Sequence, residues 1–181
     1  MTITRLLFPL LAAFAAAGCS SMDIRNFEGS QPEFRIEDYF DGQSRAWGMF
    51  QDRSGKIRAQ FTVDLNGQWE GDEFVLREDF HYRDGRREQR IWRIRKVDAH
   101  RYEGRAGDVV GVAEGRAWGQ ALNWRYTLRL TVGKRQWDMH LDDWMFLQPD
   151  GVLINRAVMR KFGFKVGEIT IVFQRGASAL N

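Results

Sequence analysis

Apolar and polar side chains alternate with a period of two along most of this chain, from about residue 34 to residue 174. In the clearest stretch, residues 122–132, one face carries Leu122, Trp124, Tyr126, Leu128, Leu130 and Val132. The other face carries Asn123, Arg125, Thr127, Arg129 and Thr131. Successive side chains point to opposite sides of a β-strand, whereas a helix would spread these residues around its circumference. The pattern therefore predicts strands with one buried and one solvated face.

Turn-forming residues separate the alternating stretches. The pairs Asn66-Gly67, Asp84-Gly85 and Asp150-Gly151 favour tight hairpins, because these residues accept a positive φ. The resulting prediction is roughly ten short strands and no long helix. The predicted strands are Arg45–Gln51, Lys56–Leu65, Glu73–Tyr82, Arg87–Val97, Arg101–Ala106, Val109–Trp118, Leu122–Val132, Trp137–Leu147, Val152–Phe162 and Glu168–Gln174.

Strands of this kind are stable only when they pack against each other. Burying the six large apolar side chains of residues 122–132 contributes about 9 to 18 kcal/mol. Ordering the eleven backbone units of that stretch costs about 11 to 22 kcal/mol. We therefore predict an all-β fold, a single antiparallel β-barrel that closes its own edges. A two-sheet sandwich is the alternative; a membrane-spanning barrel is disfavoured, because arginine repeatedly alternates with the apolar face.

The N-terminus has the three parts of an export signal. Arg5 gives a short positive region, residues 6–17 form an apolar core, and small residues lead to Cys19. The apolar core of 12 residues is shorter than the roughly 20 that a spanning helix needs. The predicted organisation is a signal peptide at residues 1–18, a tether at 19–31, a barrel domain at 32–176 and a tail at 177–181.

Cys19 is the only cysteine in the chain, and the segment Ala16-Ala17-Gly18-Cys19 resembles the lipobox of bacterial lipoproteins. The resemblance implies acylation of Cys19 and attachment to the membrane through its acyl chains. Ser20 in the next position, by similarity to the sorting pattern of lipoproteins, implies the periplasmic side of the outer membrane. The alternative is an ordinary secretory signal with an incidental cysteine, although such a thiol would have no partner for a disulfide.

Charge gives a weaker indication of partners. Without residues 1–18 the chain has 163 residues with 26 basic and 24 acidic side chains, a net charge of +2, so no nucleic-acid partner is expected. Arginine is dense in residues 83–96, and arginine binds phosphate and carboxylate groups through two hydrogen bonds at once. This face is predicted either to contact lipid headgroups or another envelope protein, or to be a solvated hairpin balanced by Asp84 and Glu88.

Three further segments resemble a family of small Gram-negative lipoproteins that is defined as a domain of unknown function. They are the stretch from Arg45 to Gly55 (Arg-Ala-Trp-Gly-Met-Phe-Gln-Asp-Arg-Ser-Gly), the segment Asp142-Asp143-Trp144-Met145 and residues 155–163. With the lipobox, the likeness covers nearly all of the mature chain. It implies a calycin-like barrel, similar to lipocalins, with a cup for a hydrophobic ligand.

No hydrolase, P-loop, dinucleotide or zinc motif occurs, so no cofactor, no metal and no catalytic residue are predicted. Two carboxylates interrupt apolar faces instead: Glu78 among Phe74, Leu76, Phe80 and Tyr82, and Asp143 among Met139, Leu141, Met145 and Leu147. We predict that both point into the barrel, with Arg156 or Arg45 as partners and with Trp47 and Trp124 lining the cavity. The alternatives are a β-bulge that turns Asp143 outward and a purely structural Glu–Arg pair.

Three functions are consistent with these features. The first is a lipid-anchored binding protein that holds a lipid or another apolar molecule in the barrel. The second is an assembly protein that docks to an envelope component through its arginine-rich face. An enzyme is the third, with Glu78 and Asp143 as an acid–base pair, and it is the least supported because no nucleophile accompanies them.

Overall fold

The computed structural model describes residues 22–176 as ten antiparallel strands with two short helical segments before them. A 3-10 turn covers Ile24–Phe27, and the single short helix α1 covers Ile36–Phe40. The strands are β1 (Gly42–Asp52), β2 (Ile57–Glu70), β3 (Glu73–Tyr82), β4 (Arg87–Lys96), β5 (Arg101–Arg105), β6 (Ala113–Trp118), β7 (Ala121–Val132), β8 (Arg135–Leu147), β9 (Leu153–Lys161) and β10 (Phe164–Arg175). Cys19 and the tail 177–181 lie outside the described residues.

The strands form one closed barrel in which each strand pairs with its neighbours in sequence and β1 pairs with β10. This confirms the predicted single antiparallel barrel and excludes the two-sheet sandwich. All ten strands, the helix and the buried core lie between Ile24 and Arg175. A chain that starts at Met22 therefore carries the whole closed sheet and its core, and we expect it to fold as a unit.

Two of the three predicted hairpin turns are confirmed, since Gly85 and Gly151 have φ of 90° and 85°. The turn predicted at Asn66-Gly67 is wrong. Strand β2 continues through both residues to Glu70, and the chain reverses at Gly71, whose φ is 68°.

Gly67 allows the end of helix α1 to approach strand β2 closely. A Cβ atom on Gly67 would lie 2.1 Å from the backbone oxygen of Phe40 and 2.6 Å from the ring of Phe74. Real Cβ atoms do not come this near to backbone oxygen, so only glycine lets the end of α1 rest on β2. The glycine that resembles a turn signal in the sequence is thus a packing position.

The two ends of the barrel differ. The connections β1–β2, β3–β4, β5–β6, β7–β8 and β9–β10 lie at one end, which we call the mouth. Helix α1 lies at the other, the plugged end, where Phe34, Ile36, Tyr39 and Phe40 are buried. The hydroxyl of Tyr39 donates to the backbone oxygens of Gly151 and Phe173, both at 3.1 Å. These bonds tie the plug to the β8–β9 connection and to β10.

Part of the predicted tether lies on the barrel wall. Ile24 and Phe27 pack against Trp144 and Phe146, which project outward from β8. Phe34 donates its backbone N–H to the oxygen of Gly119 at 2.7 Å, in the turn between β6 and β7. The chain therefore reaches the plug along the outside of the plugged end.

Between residues 22 and 176, we find no helix with the length and apolar character needed to cross a membrane.

Candidate functional site

The barrel interior holds a cavity of about 520 Å³. It extends from Ile36 and Phe40 at the plug to Arg86 and Thr131 at the mouth. Most of its wall is aromatic or aliphatic. The aromatic members include Phe50, Phe61, Phe80, Tyr82, Trp92, Trp124 and Tyr126. A volume of this size, an apolar wall and a few polar groups are the usual features of a small-molecule site.

Glu78 and Asp143 both line this cavity, as predicted from their places in the alternation. Glu78 lies on β3 and Asp143 on β8, which are five steps apart in the ring of ten strands. Strands at that separation face each other across a barrel. The register of β8 with β7 and with β9 continues without interruption through Asp143, so the outward-turning bulge does not form.

Asp143 is held by two polar neighbours. The side-chain amide of Asn155, on β9, donates to one carboxylate oxygen of Asp143 and also to the backbone oxygen of Trp144 at 3.3 Å. The hydroxyl of Tyr126, on β7, lies 3.4 Å from the other carboxylate oxygen. Asp143 and Asn155 are both buried, and these contacts fix the carboxyl group in one orientation.

Glu78 is less well satisfied. Arg90, on β4, lies with Nη1 3.7 Å from Oε2 of Glu78, and no hydrogen bond to that buried oxygen occurs within residues 22–176. Arg90 is instead bound to Asp108 in the β5–β6 connection, through Nε at 3.0 Å and Nη2 at 2.7 Å. Glu78, which lines the cavity, therefore has a buried carboxyl oxygen with unused hydrogen-bonding capacity.

Burial raises the pKa of both carboxyl groups to about 7. For Glu78, the charge of Arg90 opposes the effect of burial and the charge of Asp108 adds to it. For Asp143, the hydrogen bonds from Asn155 and Tyr126 oppose it and the charge of Glu78 adds to it. Near neutral pH each group can therefore donate or accept a hydrogen bond from inside the cavity.

Trp124 lines the cavity as predicted and lies against the barrel wall. Its ring covers two glycines: Cβ atoms on Gly115 and Gly104 would lie 2.0 Å and 2.5 Å from ring carbons of Trp124. The ring also makes an edge-on contact with Trp92, with centroids 5.8 Å apart. Glycine on β5 and β6 thus lets a large ring lie flat and leaves space in the centre.

Three predicted cavity residues lie outside the cavity. Arg156 is on the outer face of β9, where its Nη2 lies 2.5 Å from Oε1 of Glu168. On β1 the inward side chains are Ser44 and Ala46, so the alternation has the opposite phase to the one predicted. Arg45 and Trp47 therefore point outward, where Arg45 lies 3.7 Å from Asp64 and Trp47 is 43% exposed.

The sequence prediction missed four polar members of the site: Arg90, Asp108, Tyr126 and Asn155. Arg90 and Asn155 had a visible signal, because each occupies the inward phase of its strand beside buried Trp92 or Ala157. The alternation puts Tyr126 on the inward face but does not indicate a partner for its hydroxyl. Asp108 lies in a connection outside any alternation, so nothing in the local pattern indicated it.

The arginine-rich segment 83–96 is largely paired on the outer surface. Arg93 lies 3.3 Å from carboxylates of Glu70 and Glu73, and Arg95 lies 2.6 Å from Glu103. Arg86 pairs with Asp84 at 2.9 Å. These contacts, between strands for Arg93 and Arg95 and within the β3–β4 connection for Arg86, favour the solvated hairpin over a free docking face. Within the described part of the chain, no three potential ligands come together as a metal site.

Comparison with known proteins gives a family and a fold. A family model described as "Protein of unknown function (DUF3833)" matches residues 13–175. Among solved structures, the S-type phycobiliprotein lyase CPES from Guillardia theta is similar, with a TM-score of 0.58 and 7% identity. The match covers 80% of this chain and 94% of the lyase chain, and it supports the predicted lipocalin-like barrel. Curated proteins give no significant match.

Proposed function

This chain belongs to the DUF3833 family of proteins of unknown function, and from its cavity we propose that the barrel binds an apolar or amphiphilic small molecule. The observation that carries the proposal is the 520 Å³ apolar cavity with an unsatisfied carboxyl oxygen of Glu78 in its wall. The apolar wall would hold the hydrocarbon part of the ligand. Glu78 and Asp143 would hydrogen-bond its polar head.

The charges in the wall favour a neutral or cationic head group. Each arginine that lines the cavity already has a carboxylate partner: Arg86 pairs with Asp84, Arg90 with Asp108 and Arg129 with Asp138. A ligand carboxylate would find no free cation among these wall residues and would lie beside two acidic groups. Burying an unpaired charge is costly. A hydroxyl, amide or amine can use the carboxyl groups of Glu78 and Asp143 instead.

The binding proposal predicts displacement of a neutral fluorescent probe, N-phenyl-1-naphthylamine, from Met22–Asn181. Unbranched twelve-carbon compounds that differ only in the head group are the competitors. Dodecanol and dodecylamine are expected to displace the probe, and dodecanoate at neutral pH at least about tenfold less well, because that ratio corresponds to only about 1.4 kcal/mol. Equal displacement by dodecanoate would contradict the head-group assignment and leave the cavity proposal standing.

A blocking substitution tests the cavity itself. Ala59 lines the cavity and is half-buried, so Ala59→Trp should fill the entrance and weaken probe binding at least about tenfold. Gln60→Trp is the matched control, because Gln60 is the next residue of β2 and is exposed. Unchanged probe affinity in Ala59→Trp, with a folded barrel by circular dichroism, would contradict binding inside the barrel.

The second part of the proposal concerns the cellular location of the protein. The lipobox at residues 16–19 supports acylation of Cys19 and attachment to the periplasmic side of the outer membrane. Two acyl chains anchor stably where one does not. Cys19→Ser is expected to abolish labelling with radioactive palmitate and to leave either the unprocessed precursor or a form without an acyl anchor. Labelling that persists in the variant would contradict lipidation at this residue.

A further inference from the structure

Large apolar side chains are exposed at the mouth of the barrel. They lie in or directly beside three separate connections, β1–β2, β5–β6 and β9–β10. The residues are Ile57, Val110, Val112, Phe162 and Phe164. Phe162 and Phe164 are the most exposed, at 79% and 77%. Neither ring contributes to the core, so their exposure needs an explanation from outside the barrel.

The β9–β10 hairpin holds these two rings at its tip. Phe162 has a φ of 49°, the only positive φ on a residue other than glycine between residues 22 and 176. This backbone region is sterically unfavourable for a bulky side chain. Nζ of Lys161 lies 4.7 Å from the centre of the Phe162 ring. A strained aromatic residue beside a cation is thus kept at the outermost point of the mouth.

The mouth also carries basic side chains that no carboxylate neutralises. Within the described chain, several exposed cations at this end have no acidic oxygen within 4.0 Å. They include Arg53, Lys56, Arg87, Lys134, Arg135 and Arg160. Two acidic side chains nearby are already paired, Asp52 with Arg58 and Asp138 with Arg129. The plugged end differs, because it exposes Asp41, Asp72 and Asp150.

We propose that the mouth docks onto the surface of an anionic lipid bilayer, with Phe162 and Phe164 inserted between the headgroups and the basic side chains against lipid phosphates. Exposed aromatic rings together with unpaired basic side chains are complementary to the surface of an anionic bilayer. Aromatic rings partition into the interfacial region, and each nearby Lys or Arg adds to the attraction toward anionic lipid. The apolar residues project from separate connections around an opening. A fluid lipid surface can accommodate each of these separate side chains, whereas a rigid protein partner would need a matching pocket for each one.

Docking in this way would join the cavity to the lipid. The cavity reaches the mouth at Arg86, Arg129 and Thr131. A ligand could then pass between bilayer and barrel without crossing water. The docking proposal stands on the mouth residues alone and does not depend on what the cavity holds.

Vesicle flotation of Met22–Asn181, which lacks Cys19 and therefore any acyl anchor, tests the docking. The vesicles consist of phosphatidylcholine alone or with about 30% phosphatidylglycerol. We expect flotation with the anionic vesicles, little with the neutral ones, and loss of binding at about 0.5 M salt, where screening is strong. The double variant Phe162→Ser/Phe164→Ser should lower the partition coefficient at least about tenfold. The double variant Lys134→Glu/Arg135→Glu should lower it by a similar factor.

Matched control variants elsewhere on the barrel distinguish docking through the mouth from nonspecific binding to membranes. Trp69→Ser removes a ring that is 49% exposed near the plugged end, and Arg116→Glu reverses an exposed charge on the outer wall of β6. Both should bind vesicles like the parent chain. Equal losses in the controls would overturn the proposal. So would binding to native membranes but not to protein-free vesicles, which would indicate a protein partner.

Discussion

A Gly115→Ala protein is expected to lose a substantial part of its stability although it gains only one methyl group. That methyl carbon would overlap the ring of Trp124, whose nearest carbon lies 2.0 Å from the Cβ position, and it would lie 3.1 Å from Tyr102. A Cβ on Gly104 would lie 2.5 Å from the other end of the same ring, so the ring can move away from the added methyl group only toward the cavity and out of its packed position. Overpacking of this kind costs about 1 to 3 kcal/mol, which chemical denaturation of Met22–Asn181 would measure.

Two companion proteins make that measurement specific. Gly107→Ala is the matched control, because a Cβ at Gly107 has no atom within 4 Å and its φ is not in the left-handed region. A second substitution, Trp124→Leu, should remove the clash, so the double variant should be more stable than the sum of the two single losses indicates. An unchanged midpoint in Gly115→Ala would contradict the flat packing of the Trp124 ring on β5 and β6.

Stability is expected to fall as the pH rises from 5 to 8. Burial raises the pKa of Asp143 from 3.8 and of Glu78 from 4.5 to about 7 in both cases. The folded protein therefore binds protons that the unfolded chain releases, and this contribution to stability is lost as the pH rises through the folded pKa. By linkage, each group should lower the free energy of unfolding by roughly 2 to 3 kcal/mol across this interval, with little further change above pH 8. Urea midpoints at several pH values measure the fall.

The double variant Glu78→Gln/Asp143→Asn should flatten this dependence and be more stable than the parent at pH 8. The amide that replaces the carboxyl group of Asp143 would keep an oxygen to accept the hydrogen bond from Asn155. Asp79→Asn is the control, since Asp79 is an exposed carboxylate next to Glu78 on the same strand. It should keep the slope of the parent. A parent protein with the same midpoint at pH 5 and pH 8 would contradict burial of the two carboxyl groups.

The alternation of apolar and polar residues was sufficient to predict the barrel, because each strand has an inner side shielded from solvent and an outer side in contact with it. The alternation predicted the wrong inward face where both faces of a strand carry apolar residues. On β1 the inner series of Ala46, Gly48 and Phe50 and the outer series with Trp47 and Met49 are similar in polarity. Crowding inside the barrel decides the phase, since small residues fit the interior and Trp47 does not.

The plug and the polar cluster depend on contacts that a local pattern does not contain. Helix α1 has five residues, fewer than two turns, so no helical periodicity can develop. Asp108 approaches Arg90 from a connection that is remote in sequence, at 2.7 Å. The carboxylates Glu78 and Asp143 could be predicted because each interrupts an apolar series. Their separation on opposite walls follows from closure of the ring, which pairwise strand signals do not specify.

Both ends of the described chain leave the barrel at the plugged end. Helix α1 precedes β1 there, and Gly176 donates its backbone N–H to Gln43 at 3.1 Å after β10. The mouth therefore lies at the end of the barrel opposite both of these segments, so attachment at either end of the described chain need not cover the opening. Fluorescent proteins or surface-capture tags joined to either terminus would likewise leave the opening clear. An orientation assay on supported layers can use this polarity directly.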